Sequence, residues 1–162
     1  MKAKWILTLS LLLACLMSTP VLAKQLEWLP LDQGLQQAQQ KQRFVLVHFY
    51  ADWCQDCHTM AAEMASNQGL IKRLNQSFVT VRLPQKGQRQ ITYQGKIKTE
   101  AQWVRHFRPP GFPTLMFIGP DGQEIGKMPG YIKPAELNKL LDFVQSRAYQ
   151  KMNFDAYLKQ AS

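Results

Sequence analysis

"RFVLVHFYADWCQDCH" occupies residues 43–58, and two readings of its end exclude each other. As Trp-Cys-x-x-Cys, residues 53–57 are a redox pair that makes and breaks a disulfide. As Cys-x-x-Cys-His, residues 54–58 are an attachment signature for a c-type haem, with Cys54 and Cys57 consumed by thioethers and His58 on the iron. The residues ahead of the cysteines weigh between them. Residues 43–51 form a nearly continuous apolar, β-branched and aromatic run, the pattern of a strand buried on both faces. Cys57, Met60, Ala61 and Met64 then recur at three- and four-residue spacing, so a helix begins at the first cysteine. At such a junction, unpaired backbone N–H groups and the helix dipole favour an anion. That lowers a thiol pKa below its free value of about 8.5 and supplies thiolate for attack on a disulfide. Cys57 lies one turn deeper and can attack the mixed disulfide that results. A haem motif has no need of a buried strand ahead of it. A zinc-binding module would use Cys54, Cys57 and a histidine, but one Cys pair without a second is a weak zinc signal.

The start of the chain addresses the compartment. Lys2 and Lys4 precede an apolar run from Trp5 to Met17, and "STPVLA" ends at Ala23. This is the pattern of a secretory signal peptide, residues 1–23, cleaved after Ala23. The run is short of the roughly 20 residues that span a bilayer. A rival reading takes "LLAC", residues 12–15, as a lipoprotein box with Cys15 as lipid acceptor; the apolar stretch continues past Cys15, which argues against it. Residues 24–162 would then form the mature chain, a length suited to one domain with an adequate core. Cys54 and Cys57 are its only cysteines, a local device rather than a disulfide framework. Without the two signal lysines, 18 Lys and Arg stand against 11 acids, a formal charge of +7. The charge is spread along the sequence with no dense basic run, which favours a solvated basic surface over nucleic-acid binding.

The remaining pattern orders the elements. Asp32 is placed to cap a helix through about Lys41. "SNQG" at 66–69 interrupts the helix that follows the cysteines, and Leu70, Ile71 and Leu74 resume it. "FVTVRL" at 78–83 alternates as a second strand. Residues 84–98 read as an insertion holding a small hairpin or loop. A helix runs from about Thr99 to Phe107, and the three prolines of "RPPGFP" (108–113) must end it. "TLMFI" and "QEIGKM", joined by "GPDG", form an antiparallel pair. Pro134 opens a helix with Leu137, Leu140, Leu141 and Val144 on one face. The tail, 148–162, folds back as a short last helix. The first strand–helix–strand unit implies parallel pairing, the last hairpin antiparallel pairing.

"VLVHFYADWCQDC" and "GFPTLMFIGPDGQEIGKMPGY" together resemble the thioredoxin superfamily, over a core of about residues 32–147. Within it the chain is similar to periplasmic thioredoxin-like proteins of the SoxW type and to the C-terminal domain of the reductase DsbD. The resemblance implies an α/β thioredoxin fold: a central mixed β-sheet flanked by helices, with an insertion between the second strand and the third helix. It implies Cys54 as attacking and Cys57 as resolving cysteine, joined as a disulfide in the oxidised state. Trp53 flanks them, and Pro113 falls on the superfamily's cis-proline. The Phe112 backbone would pair with a substrate strand, and Gly111, Gly130 and Tyr131 would edge an apolar docking surface.

His48 departs from the pattern, because many thioredoxins carry a buried carboxylate six residues before the first cysteine. A neutral imidazole with a pKa near 6.5 could accept the Cys57 proton; a buried histidine that only fills space is the competing reading. His58 reads as a helix-surface residue, His106 as solvated, Met60 and Met64 as core, and Arg82 as a rim residue. Between the cysteines stand Gln55 and Asp56. A negative charge beside a thiolate disfavours it and makes the dithiol a better electron donor. The expected activity is therefore periplasmic reduction of protein disulfides by a monomer without cofactor or metal, supplied with electrons by a membrane reductase of the DsbD kind. A thiol oxidase or disulfide isomerase is the alternative.

Overall fold

The structure, a computed structural model, describes residues 25–160. The expected signal peptide and the alternative lipid acceptor Cys15 lie outside the described residues. The chain runs α1 (Leu31–Lys41), β1 (Phe44–Tyr50), α2 (Gln55–Ser66), α3 (Gln68–Ser77), β2 (Phe78–Pro84), β3 (Gln90–Tyr93) and β4 (Lys96–Thr99). It continues through α4 (Glu100–Phe107), β5 (Thr114–Ile118), β6 (Glu124–Pro129), α5 (Pro134–Gln145), a 3-10 turn (Ala148–Gln150) and α6 (Phe154–Gln160). The central sheet has the order β2-β1-β5-β6. β1 pairs in parallel with β2 and antiparallel with β5, which pairs antiparallel with β6. Leu29 adds a parallel bridge to Val81 on the far side of β2. This is the mixed sheet of a thioredoxin fold.

β1 owes its unbroken apolar run to cover on both faces. Val45, Val47 and Phe49 pack with Leu31 and Ala38 of α1 and with Trp103, Val104 and Phe107 of α4. Leu46 faces a second cluster built from Met60 and Met64 of α2, Leu70 and Leu74 of α3, and Leu137, Leu140 and Leu141 of α5. Each fully buried side chain of this kind contributes roughly 1.5–3 kcal/mol. Tyr149, Met152, Phe154 and Tyr157 pack on the second cluster, so the described part of the tail lies against the body. α1 lies so close to β2 that a Cβ at Gly34 would stand 2.2 Å from Val81 Cγ2.

Three local expectations change. Asp32 is not the cap of α1. Pro30 takes that position, and Leu31, fully buried, is the first helical residue. Burying Leu31 pulls the start of the helix one residue earlier, and the Asp32 carboxylate instead accepts from the Gln33 N–H and from Arg89. The "SNQG" break narrows to Asn67 alone, whose Oδ1 accepts from Leu70 N–H at 3.0 Å and caps α3. Because that break makes two helices, the insertion lies between β2 and the fourth helix. It is a true hairpin, turning at Gln94 and Gly95 with φ of 49° and 72°. Ile91 and Tyr93 bury into the first cluster, and Trp103 Nε1 donates to the Ile91 carbonyl at 3.0 Å. The insertion is thus part of the core.

Candidate active site

The end of β1 delivers the cysteines to the start of α2. Cys54 is the N-cap residue, extended at φ −86° and ψ 99°, and Cys57 N–H donates to its Sγ at 3.1 Å. This is the capping bond that serine or aspartate makes elsewhere, with sulfur as acceptor. The two cysteines are joined to each other, their Cα atoms 5.3 Å apart. Cys54 is 4% exposed and Cys57 1%, so the second lies behind the first. Ala51 packs beneath them, with Tyr50 and Phe112 at the sides. Gln55 and Asp56 stand exposed on the first turn of α2. His58 is also exposed, with Nε2 2.9 Å from the Asp52 carbonyl; a carbonyl only accepts, so this nitrogen carries the hydrogen.

A second wall comes from the segment before β5. The Phe112–Pro113 peptide bond is cis. Pro113 is buried, and its carbonyl accepts from Gly130 N–H at 2.8 Å, while Thr114 Oγ1 donates to the Gly111 carbonyl at 2.7 Å. These bonds hold both ends of the segment and leave the N–H and C=O of Phe112 without partners among the described residues. The Phe112 ring meets Trp53 edge-on at 6.1 Å. Trp53 is 66% exposed, and its Nε1 donates to Gln85 Oε1 at 2.9 Å. Tyr131 is turned toward α2, where its hydroxyl donates to Glu63; this bond, some burial and the charges of Glu63 and Asp56 raise its pKa.

His48 lies fully buried on β1, directly across from Arg82 on β2. Trp28 and Tyr50 flank the imidazole, at centroid distances of 5.7 and 6.0 Å. The Arg82 guanidinium lies over both rings, 4.7 Å from the Tyr50 centroid and 5.4 Å from that of Trp28. Arg82 is therefore half-buried against these two rings. Burial first, then the Arg82 charge, then His58, push the His48 pKa down to about 3. The expectation of an imidazole near its ordinary pKa does not hold, because a second cation would have to form beside Arg82 in a dry pocket. His106 is exposed as expected, though its ring rests edge-on against Trp103.

The structure thus brings Phe112 against the cysteine pair, with Trp53 edge-on to Phe112, and holds Gly111, Pro113 and Gly130 by hydrogen bonds around the same segment. Sequence reading missed Gln85, Tyr50 and Trp28. Gln85 stands in a polar loop, and only its backbone bond to the Tyr50 carbonyl, at 2.9 Å, brings it under Trp53. Tyr50 was visible as the last aromatic residue of the apolar run, and the parallel register placing His48 opposite Arg82 follows once Phe44 is aligned with Phe78. No signal pointed to Trp28. Among the described residues no helix is long and apolar enough to cross a membrane.

A family model for the thioredoxin-like domain matches residues 31–145. The thiol:disulfide interchange protein DsbD 2 of Pseudomonas aeruginosa is 30% identical over 94 residues, 58% of this chain and 14% of its own length. Protein disulfide-isomerase of Triticum aestivum is 24% identical over 107 residues, 66% of this chain and 18% of its own. The chain therefore spans less than a fifth of these two relatives. A thioredoxin from Thermus thermophilus superposes with a TM-score of 0.60 at 29% identity, covering 74% of this chain and 87% of that one. The residues matched by the family model run from the first residue of α1 to the last of α5 and enclose every strand of the central sheet; the chain belongs to the thioredoxin-like family.

Proposed function

We propose that the chain is an exported thiol–disulfide oxidoreductase that reduces protein disulfides through Cys54 and Cys57. The observation that carries this reading is the position of Cys54 as N-cap of α2, with its sulfur receiving the Cys57 N–H. In the reduced protein the same N–H and the helix terminus favour a Cys54 thiolate. That thiolate attacks one sulfur of a substrate disulfide, forms a mixed disulfide and expels the other sulfur as thiolate. Cys57, deprotonated, then attacks Cys54 Sγ. The Cys54–Cys57 bond closes, the substrate leaves as a dithiol after taking up two protons, and two electrons have passed from protein to substrate.

The neighbouring residues take their roles from this sequence of steps. The unpaired N–H and C=O of Phe112 suit an extended substrate segment, as at a free sheet edge. Trp53, Gly111, Gly130 and Tyr131 border that segment, and Pro113 holds Phe112 in place. His48 is a neutral imidazole behind the pair. A group with a pKa of about 3 is too weak a base to take a proton from a thiol, so the base role is not carried forward and His48 acts through packing and polarity. The exposed Asp56 charge disfavours thiolate and supports the reducing direction. A membrane reductase of the DsbD kind would restore the dithiol. The signal pattern of residues 1–23 supports a periplasmic location, and one described domain suits a monomer.

Covalent trapping tests the reading. A Cys57→Ser variant should hold substrate proteins as mixed disulfides on Cys54 that dithiothreitol releases. Absence of such adducts, or a haem mass retained on the wild-type cysteines, would overturn it.

A further inference from the structure

We propose that Tyr131 and Glu63 form a clamp that ties the two walls of the redox site together, and that this clamp selects disulfides carried in extended polypeptide over small-molecule disulfides. The inference rests on the oxidoreductase reading and names its substrate class. One wall is α2, which begins behind Cys54 and carries Glu63 further along. The other is the segment of residues 111–113, whose Phe112 packs on the cysteine pair. Gly130 and Tyr131 reach both. The ladder between β5 and β6 ends with Thr114 opposite Pro129. Gly130 follows with a φ of 90°, and its N–H donates to the Pro113 carbonyl at 2.8 Å. The next residue turns to the opposite wall, where the Tyr131 hydroxyl donates to Glu63 Oε2.

The surroundings hold this bond in place. Lys133 lines the same shallow depression as Glu63. Yet among the described residues Glu63 forms no ion pair, and its carboxylate is taken by the phenol. The Tyr131 ring packs on the second cluster, to which α2 contributes Met60 and Met64. The bond to Glu63 first, then some burial, then the Glu63 and Asp56 charges raise the phenol pKa, so the hydroxyl keeps the proton it donates. Asp56 lies seven residues before Glu63, on the same helical face and about 10 Å along the axis. A ring that feels both acids lies along the face of α2 that leads to the cysteines. A disulfide in an extended polypeptide meets both walls: its sulfur must reach Cys54 while its backbone pairs with the free N–H and C=O of Phe112. The two contacts reinforce each other only at a fixed separation, because a small misplacement of reacting atoms costs rate steeply. A small-molecule disulfide has no backbone to pair, so it meets Cys54 alone and is indifferent to that separation. Tyr131 and Glu63 are thus positioning residues.

Two substrates separate these cases: a disulfide-linked dimer of a short extended peptide, and hydroxyethyl disulfide. Prereduced protein is mixed with each under single-turnover conditions, and the readout is the ratio of the peptide rate to the small-disulfide rate. The wild type should reduce the peptide about tenfold or more faster. Glu63→Ala should lower the ratio about fivefold, the order expected from one lost hydrogen bond. Glu63→Gln, whose amide oxygen still accepts from the phenol, should restore most of it. Tyr131→Phe should lower the ratio as much as Glu63→Ala, and the double variant should be no worse than either, because the pair acts as one unit. A merely structural role would lower the melting temperature and leave the ratio at its wild-type value. An unchanged ratio in Glu63→Ala, or additive losses in the double variant, would overturn the proposal. A ratio that falls in Tyr131→Phe alone would assign the hydroxyl to the substrate itself and overturn the clamp. Equal wild-type rates for the two substrates would overturn the substrate class. Failure of the wild type to reduce either disulfide would overturn the oxidoreductase reading itself, and the clamp with it.

Discussion

His48 and Arg82 face each other across the parallel strands β1 and β2, and neither His48 ring nitrogen nor Arg82 Nε has a hydrogen-bond partner among the described residues. A buried imidazole in this position stays neutral, with its pKa held at about 3 by burial, then by Arg82, then by His58.

The first prediction follows from the sign of that shift. The unfolded chain protonates His48 near pH 6.5, and the folded chain does so only near pH 3. Between these values the unfolded state binds more protons, so stability is fully present above about pH 6.5 and is lost as pH falls toward 3. The slope from this one group is at most about 1.4 kcal/mol per pH unit. Carboxylates also titrate at the lower end, so the informative quantity is the difference between wild type and His48→Leu. Urea unfolding at several pH values should show a shallower pH dependence for His48→Leu. Its stability at pH 7 should be equal or higher, because orphaned polar atoms are replaced by an apolar group. Arg82→Met should raise the His48 pKa only part of the way, since burial is the larger cause. Parallel pH profiles for wild type and His48→Leu would sink this account.

The second prediction concerns the chemical steps. Because His48 is too weakly basic to accept a thiol proton, His48→Leu should resolve the mixed disulfide within about threefold of the wild-type rate, well short of the 10²-fold or more of a positioned base. Stopped-flow measurement separates attack by Cys54 from resolution by Cys57. A selective loss of about 100-fold in resolution, with attack unchanged and the melting temperature preserved, would restore the base role.

What the sequence displayed depended on whether a residue's neighbours were local. β1 and the cysteine pair were legible because a strand covered on both faces shows as a continuous apolar run, and because the helix start is written in the spacing of Cys57, Met60, Ala61 and Met64. The α4 capping box was half visible in Thr99, and Gln102 completes it. The start of α1 was misplaced because Asp32 has the chemistry of a cap, whereas burial of Leu31 decided the boundary. Gln85 under Trp53 and Trp28 beside His48 were not legible. Each is brought into place by a loop or edge segment whose path depends on the assembled sheet.

The third prediction contrasts two glycines. Gly34 has ordinary helical geometry but no room: a Cβ there would stand 2.2 Å from Val81 Cγ2, in the core. Gly130 has room but a φ of +90°, and its N–H holds the Pro113 carbonyl. Gly34→Ala should destabilise by roughly 1–3 kcal/mol through overpacking while leaving the reactivity of the cysteines near wild type. Gly130→Ala should cost about 1–2 kcal/mol in backbone strain and should also slow reduction of protein substrates, because it loosens the segment that carries Phe112. Urea unfolding and insulin reduction check both. Equal loss of activity in the two variants at matched stability would contradict the separation.

The fourth prediction concerns the direction of electron flow, and it turns on Asp56. This carboxylate stands exposed on the first turn of α2, between the two cysteines in sequence. A carboxylate near a helix N-terminus stabilises the helix, yet it repels the Cys54 thiolate that the same terminus attracts. Destabilising the thiolate weakens the reduced form relative to the disulfide and lowers the reduction potential. Asp56→His replaces repulsion with neutrality or attraction, and should raise the potential by tens of millivolts; for a two-electron couple, about 30 mV corresponds to about 1.4 kcal/mol. Because the site is exposed, the shift should diminish at high salt. Equilibration against glutathione, followed by alkylation of free thiols, measures both proteins. The wild type should lie on the reducing side of the glutathione couple and reduce insulin. A wild-type potential near the about −120 mV of a strong oxidant would reverse the assigned direction. An unchanged potential in Asp56→His would show instead that the helix terminus and the buried setting of Cys57 set the redox balance without help from the intervening charge.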